Sequence, residues 1–352
     1  MEAPLLVEGN VDIRYGDVEA PGSVVVRGDV RSGRSVSAKG SITIHGVVEA
    51  ATIVAEGDVS VQHGVAGRSK GSISAQGKIT LGYVSEAKLD SKSGIVIGSS
   101  AMNSTLLTDG DVVIEGDGVL VGGVVMAAGN LTAGRVGHKG VDLWEKGVAK
   151  HIVEKTTIML GFPPNLRKRL MESRPQLSLA EKSGRAAARN VQYLLSRGVP
   201  EVDETTSERL MFLAKAPVSV AFLLGKGAKA AAAVNEELRM MLADIAQELP
   251  LPHNVSASEH SALQDLSLHL YHLFAANDFV IDVHKDIEAL LGSPKLNKNA
   301  AFYARDTVYK GVELTIGFAE LAVDQLMGGT VFKLAGDEIV AEPWTEGAVA
   351  EV

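Results

Sequence analysis

Two histidines, His269 and His272, stand about one helical turn apart, with His260 and Asp265 upstream. Imidazoles on adjacent turns of one helix can share a metal ion. No third ligand has a diagnostic spacing, and Leu270 and Leu273 mark an apolar stripe beside the pair. They read more simply as solvated or core-edge histidines. Three aspartates, Asp29, Asp58 and Asp111, each follow a glycine. Carboxylates gathered on one face of a β-helix would suit calcium and an acidic sugar, the chemistry of polysaccharide cleavage. The same column also takes Asn10, Ser23, Ser41, Lys78 and Asn130. Such a mixed column reads as turn chemistry, because short polar side chains satisfy local backbone donors.

Other signals are weaker. Gly225-Lys226-Gly227-Ala228-Lys229 has the composition of a phosphate loop without its order or a preceding strand. Gly116, Gly118 and Gly122 miss the dinucleotide spacing and precede no helical pattern. Lys139, Lys146, Lys150, Lys155, Arg167, Lys168 and Arg169 form a basic run. A solvated linker and first helical turn explain that run more readily than a membrane surface or an acidic partner. The Ala-rich stretch from Ala228 to Ala233 permits close helix approach, within the chain or between two copies. No catalytic, cofactor-binding or metal residue emerges, and no cofactor is implied.

The elements carrying these residues are set by an internal repeat. Gly9, Gly22, Gly40, Gly57, Gly77, Ser93, Gly110 and Gly129 begin units spaced 13, 18, 17, 20, 16, 17 and 19 residues apart. Two residues on stand Val11, Val24, Ile42, Val59, Ile79, Ile95, Val112 and Leu131. Four on stand Ile13, Val26, Ile44, Val61, Leu81, Ile97, Ile114 and Ala133. Apolar residues also recur four before the glycine, and small ones two before. Alternation within each unit is strand periodicity, and a fixed period is the mark of a solenoid. Two strands meet at the glycine, and a tail with a further glycine makes an irregular third side. The expected fold is a right-handed parallel β-helix of about eight coils, with coils about 4.8 Å apart.

Composition agrees. A chain of 352 residues with 46% hydrophobic content can fill more than one core, and 37 glycines suit a many-cornered rod. The net charge of −9 argues against nucleic acid as a partner. There is no cysteine, hence no disulfide or thiolate chemistry. The first residues lack a secretory pattern, and no apolar run is long enough to cross a membrane. A cytoplasmic location is the expectation.

The organisation expected is a β-helix over residues 1–163, a helical insertion over 164–294, strands returning to the β-helix over 295–342, and a tail over 343–352. Capping boxes at Ser178/Glu181, Thr205/Glu208 and Ser256/Glu259 place helix starts. Stops fall at Gly198-Val199-Pro200 and Pro250-Leu251-Pro252. Val234, Leu238, Met241 and Ile245, and the run from Leu263 to Leu290, have seam spacing and suggest an antiparallel helical hairpin, weakened locally by Asn277. Strand alternation returns at Ala301–Ala304, Val312–Gly317 and Val331–Leu334, with a turn at Gly328-Gly329.

Rungs such as Ala55-Glu56-Gly57-Asp58-Val59-Ser60-Val61, then helices, then Val308-Tyr309-Lys310-Gly311-Val312 and Phe332-Lys333-Leu334-Ala335-Gly336-Asp337 occur in this order. In that order they resemble the FapA (flagellar assembly protein A) family. The resemblance implies a non-enzymatic bacterial scaffold with a coiled-coil-like helical part, working through a protein partner in flagellar assembly or positioning. A homo-oligomer is compatible with it. Family members often carry a further domain ahead of the β-helix, whereas this chain begins almost at its first rung. One alternative is a bactofilin-like polymer joined through uncapped end coils, and another is a carbohydrate-active β-helix enzyme. A left-handed acyltransferase helix would need a strict six-residue period, which is absent.

Overall fold

A strand with Val or Ile pointing one way and polar residues the other buries only one face, so it requires like strands above and below. The computed structural model describes residues 3–139, 155–215, 217–219, 228–247, 262–291 and 297–345. In it the repeats stack as a parallel β-solenoid with three faces. On the first face Leu5, Val24, Ile42, Val59, Ile79, Ile95, Val112 and Leu131 lie in register. These eight rungs bound seven full turns. On the second, Val11, Val30, Val48, Val65, Val84, Ala101, Leu120 and Val136 are stacked. The third carries Val18, Val36, Ile53, Ile73, Leu89, Leu106, Val125, Ile158 and Leu314. The side expected to be irregular is thus a stacked face, joined by single bridges at Val11, Val30 and Val48 and by paired strands from there on. The three columns, apart from Leu5, are buried and form one continuous core. Each fully buried Val or Ile stabilises by about 1.5–3 kcal/mol.

The first unit is out of the expected register. Gly9 lies below Gly28 and Gly46, at the corner between the first and second faces. Val11 stands on the second face, and Ile13 is 86% exposed. The true first rung is Leu5–Val7, paired with Val24–Val26. Thirteen residues are too few to close a coil that elsewhere takes 16 to 20.

The corners explain the residue column after the glycine. Gly40 N–H donates to Gly22 O at 3.1 Å, and Gly57 N–H to Gly40 O at 3.1 Å. Beside this ladder, Ser23 Oγ accepts from Ser41 N–H at 3.1 Å and Ser41 Oγ from Asp58 N–H at 3.1 Å. Asp58 Oδ1 accepts from Lys78 N–H at 2.7 Å, and Asp111 Oδ1 from Asn130 N–H at 2.5 Å. Asn10 and Asp29 do the same at the other corner, toward Asp29 and Val47. The satisfied donor therefore lies one coil onward and is not local to the turn. The accepting atom occupies the space a side chain would need. A Cβ on Gly57 would sit 2.5 Å from Ser41 Oγ and 2.8 Å from Ser41 N. At the third corner a left-handed residue recurs: Gly33, Ala50, Arg68, Glu86, Asn103 and Gly122 have φ of 75, 38, 47, 49, 45 and 67°.

The last turn is built from both sides of the helical insertion. Phe302 stacks on Leu131 and Leu314 on Ile158, in parallel register. The chain then reverses. Ala319–Ala322 pairs antiparallel with Glu313–Ile316, and Thr330–Ala335 with Ala301–Val308. Phe302 and Phe332 stack at 5.3 Å. Glu338–Pro343 adds a further antiparallel strand, and Trp344 N–H donates to Gly329 O at 2.9 Å, so the ordered structure runs past the expected start of the tail. These reversed strands cover the C-terminal edge of the solenoid.

The chain divides into two compact units, residues 168–293 forming the helical one. Four helices are described: α1 (Pro164–Arg197), α2 (Glu204–Ala214), α3 (Ala228–Gln247) and α4 (Ala262–Leu291). The helix start expected at Ser178 does not occur, because α1 runs through both Pro175 and Ser178. Leu177 and Ala180 pack on Val218, Ala231, Val280 and Ile281, and this tertiary packing outweighs the missing Pro175 donor. The α1 stop at Gly198 agrees with expectation, with φ of +83°. The cap of α2 is Asp203, two residues before the expected Thr205, and it accepts from Thr206 N–H at 3.0 Å. Ser256 and Pro250-Leu251-Pro252 lie outside the described residues. Leu238, Ile245, Leu263, Leu266, Leu270 and Leu273 share a core. Ala231 is buried inside the unit.

Asn277 is buried and accepts from Val218 N–H at 3.0 Å, so it holds a loop where a weak seam point was expected. Asn277→Leu, although apolar and of similar size, should lower the stability of the helical unit by about 1–3 kcal/mol, because a buried N–H loses its acceptor. Denaturant unfolding followed by circular dichroism measures this. In the solenoid, Gly57→Ala should cost about 1–3 kcal/mol through overpacking. Gly22→Ala, where nothing lies within 4 Å of the new Cβ, should stay within about 0.5 kcal/mol. Equal losses in the two variants would show that the corner contact is not limiting.

Candidate functional site at the corner where the chain leaves and returns

The helical insertion replaces one corner of one coil. Gly161 N–H donates to Ala127 O at 3.0 Å, the bond that Lys39 and Glu56, each just before a unit glycine, make to Ala20 and Ala38. The chain then departs into α1. When it returns, Asn297 N–H donates to Gly161 O at 3.2 Å, and Ala301 N–H donates to Asn130 Oδ1 at 3.0 Å. The side chain that would have bonded the next coil thus finds its donor 171 residues later.

Arg167 secures the exit. Its Nη2 donates to Leu160 O at 3.2 Å, and its guanidinium lies 4.5 Å from the Phe162 ring centre. Phe162 meets Phe318 edge-on at 4.9 Å. Burial pushes the Arg167 guanidinium down to about 10, with the charge of Glu320 opposing the shift. Among the described residues its Nε is buried without a hydrogen-bond partner. The residue expected in a solvated linker is therefore a buried clamp. Within the same run, Lys155 pairs with Glu313 at 2.5 Å and Lys168 with Glu172 at 3.8 Å. Lys146 and Lys150 lie outside the described residues.

A groove of about 690 Å³ follows this corner, lined by Gln76, Lys92, Ser93, Asp109, Asp111, Pro163 and Asn297, among others. Lys92 sits 3.8 Å from Asp90 and 3.7 Å from Asp109, so its charge is shared between two carboxylates. Here the corner is rewired. Ser93 stands where other units have glycine, and Ser91 replaces the usual small apolar residue. Ser91 Oγ donates to the Gly77 or Gly94 carbonyl and accepts from Gly94 N–H at 3.0 Å. Thr108 Oγ1 accepts from Gly110 N–H at 3.0 Å in the next coil. A hydroxyl two residues before the unit position was visible in the sequence. Its meaning was not, since the partner atoms are backbone.

The residues singled out for chemistry are placed as follows. Asp58 and Asp111 stand at this corner and Asp29 at another, each bonded to backbone of the following coil. Asp29 also meets Arg31 at 2.9 Å. They do not converge. Tyr271 and His272 pack edge to face at 5.9 Å, and among the described residues no group of three potential ligands surrounds His269 and His272. His260 and Gly225–Gly227 lie outside those residues. Gly116 and Gly118 shape a turn that leads into a strand. The carboxylates that titrate low do so for local structural reasons. Backbone N–H groups of Arg14 and Tyr15 lower Asp12, Thr206 lowers Asp203 from the cap, and Arg239 lowers Glu236. In the helical unit a second groove, of about 590 Å³, runs beside Arg185, Arg189 and Lys215. No described helix is long and apolar enough to cross a membrane.

Stacked parallel coils, a corner opened to admit helices and a reversed closing sheet define a β-solenoid protein with a helical insertion. The family model for the Flagellar Assembly Protein A (FapA) beta solenoid domain matches residues 4–248. The chain belongs to the FapA family, and membership ties it to flagellar assembly. Searches of curated proteins and of solved structures returned no match.

Asn130 is the residue that ties the returning chain to the coil beneath it. Asn130→Ala should destabilise the solenoid by about 1–2 kcal/mol. It should also speed amide exchange at Ala301 selectively, which hydrogen-exchange mass spectrometry resolves. An unchanged rate at Ala301 would show that the bond does not hold the return.

Proposed function

We propose that this chain is a non-enzymatic, cytoplasmic scaffold that serves flagellar assembly or positioning by binding a protein partner, with the helical unit as the binding element. What carries the reading is where the polar side chains go. Asp29, Asp58, Asp111 and Asn130 accept backbone N–H groups of the next coil, so the atoms that resemble a catalytic column are structural. Lys92, Lys155 and Arg31 are neutralised by neighbouring carboxylates in the same unit. Family membership supplies the flagellar context. The helical unit supports the assignment of binding because, among the described residues, it carries eight of the sixteen exposed large apolar side chains, Leu179, Tyr193, Phe212 and Met240 among them.

The test exploits the exit geometry. Asn297 N–H bonds Gly161 O at 3.2 Å, so residues 164–296 can be replaced by a short glycine-serine loop. Tagged full-length chain and the shortened chain are compared by affinity capture from a flagellated host. Capture of a flagellar protein by the full chain only is expected. Equal capture by both would move binding to the solenoid. Substrate turnover by the purified chain, abolished by one carboxylate substitution, would overturn the scaffold reading itself.

A further inference from the structure

Helix α4 has two apolar faces, and its neighbours cover one. Leu263, Leu266, Leu270, Leu273, Asn277, Val280 and His284 are buried within the helical unit. On the opposite side Leu268, Tyr271 and Phe279 are 48, 56 and 37% exposed. His272, Ala275, Asp278 and Asp282 are exposed with them. At 100° per residue all of these lie within about 60° of Ala275 around the helix. They form one face rather than scattered surface residues.

That face is complementary to itself when inverted. A two-fold axis through Ala275 brings each residue against the one equally far on the other side. Tyr271 then meets Phe279 of a second copy, and His272 meets Asp278, each pair occurring twice. Leu268 meets the Asp282–Lys285 pair, whose charges are already matched at 3.1 Å. Ala275 meets itself, and its small side chain lets the axes approach to about 8 Å. A parallel arrangement would instead set Asp278 on Asp278 and Asp282 on Asp282, and like charges in contact are disfavoured. From this self-complementarity we infer that the outer face of α4 is an antiparallel, isologous contact between two copies of this chain.

The size of the face sets the affinity. Leu268 to Asp282 spans about 21 Å of helix. One helix face of that length falls well short of the roughly 800 Å² per partner of a standard interface. The dimer is therefore weak and reversible, with a dissociation constant of roughly 10–100 μM, corresponding to a small contact. The contact is separate from recognition of a flagellar partner and stands or falls without it.

Sedimentation of the full chain from low to several hundred micromolar is the first measurement. Monomer passing to dimer over that range is expected, and Ala275→Glu should hold the chain at monomer mass throughout. The absence of cysteine from the sequence permits a geometric test. Under mild oxidation Ala275→Cys should crosslink to itself. Leu268→Cys should crosslink to Asp282→Cys in a mixture at least tenfold faster than to itself. All three sites are exposed, and circular dichroism checks that each variant is folded. Monomer mass at every concentration, a dimer that survives Ala275→Glu, or Leu268→Cys pairing preferentially with itself would each overturn the inference.

Discussion

Most coils are held to the next by a shared use of one small volume. The polar atom after a corner glycine reaches one coil onward to accept a backbone N–H. The glycine of that next coil leaves room for it, because it has no Cβ. Ser41 Oγ under Gly57 shows both halves of the arrangement: the hydrogen bond to Asp58 N–H and the space that a side chain would fill. Stacked Val and Ile columns supply most of the stabilisation, but apolar columns alone permit slippage along the axis. The corner bond fixes which residue lies over which, since a one-residue slip would strand an amide and drive a Cβ into a hydroxyl or carboxylate. Register and corner chemistry are thus one constraint.

The same constraint explains how a helical unit of more than a hundred residues can sit inside a repeat without ending it. What the next coil requires of this corner is a donor at the right height over Asn130. Ala301 provides it, and the stretch from Pro163 to Asn299 is free to be anything that begins and ends at one point. Arg167, folded back onto Leu160 and Phe162, closes the outgoing side, and Asn297 on Gly161 closes the incoming one.

The parts of the fold legible in sequence were those governed by period. The inward columns, the unit glycines from Gly22 onward and the returning strands at Ala301 and Glu313 followed from alternation and spacing. The Gly9 unit misled because its glycine and Val match the pattern, although its short spacing marks a different corner. The break expected at Ser178 failed because a capping box is a local preference, and the packing of Leu177 and Ala180 prevailed over it. Asn277 and Arg167 were read by type alone, as a seam defect and a solvated cation. Their partners, Val218 N–H and the Leu160 carbonyl, are backbone atoms distant in sequence or hidden by a turn, and no periodicity reports them. The corner groove was illegible for the same reason. It forms where Ser91, Ser93 and Thr108 replace the usual residues, and their bonds run to main-chain atoms.

The neighbouring positions of Gly161 and Asn297 have a mechanical meaning. A load applied to the helical unit enters the solenoid through two adjacent strand ends at a single corner. It reaches the last coil at its corner first, so hydrogen bonds there are stressed one after another rather than all together. Peeling of this kind yields at low force, because each bond fails before its neighbour shares the strain. Arg167 and Asn130 stand at the two threads under tension, one clamping each, and so set the force at which the last coil would open while the seven beneath it stay closed.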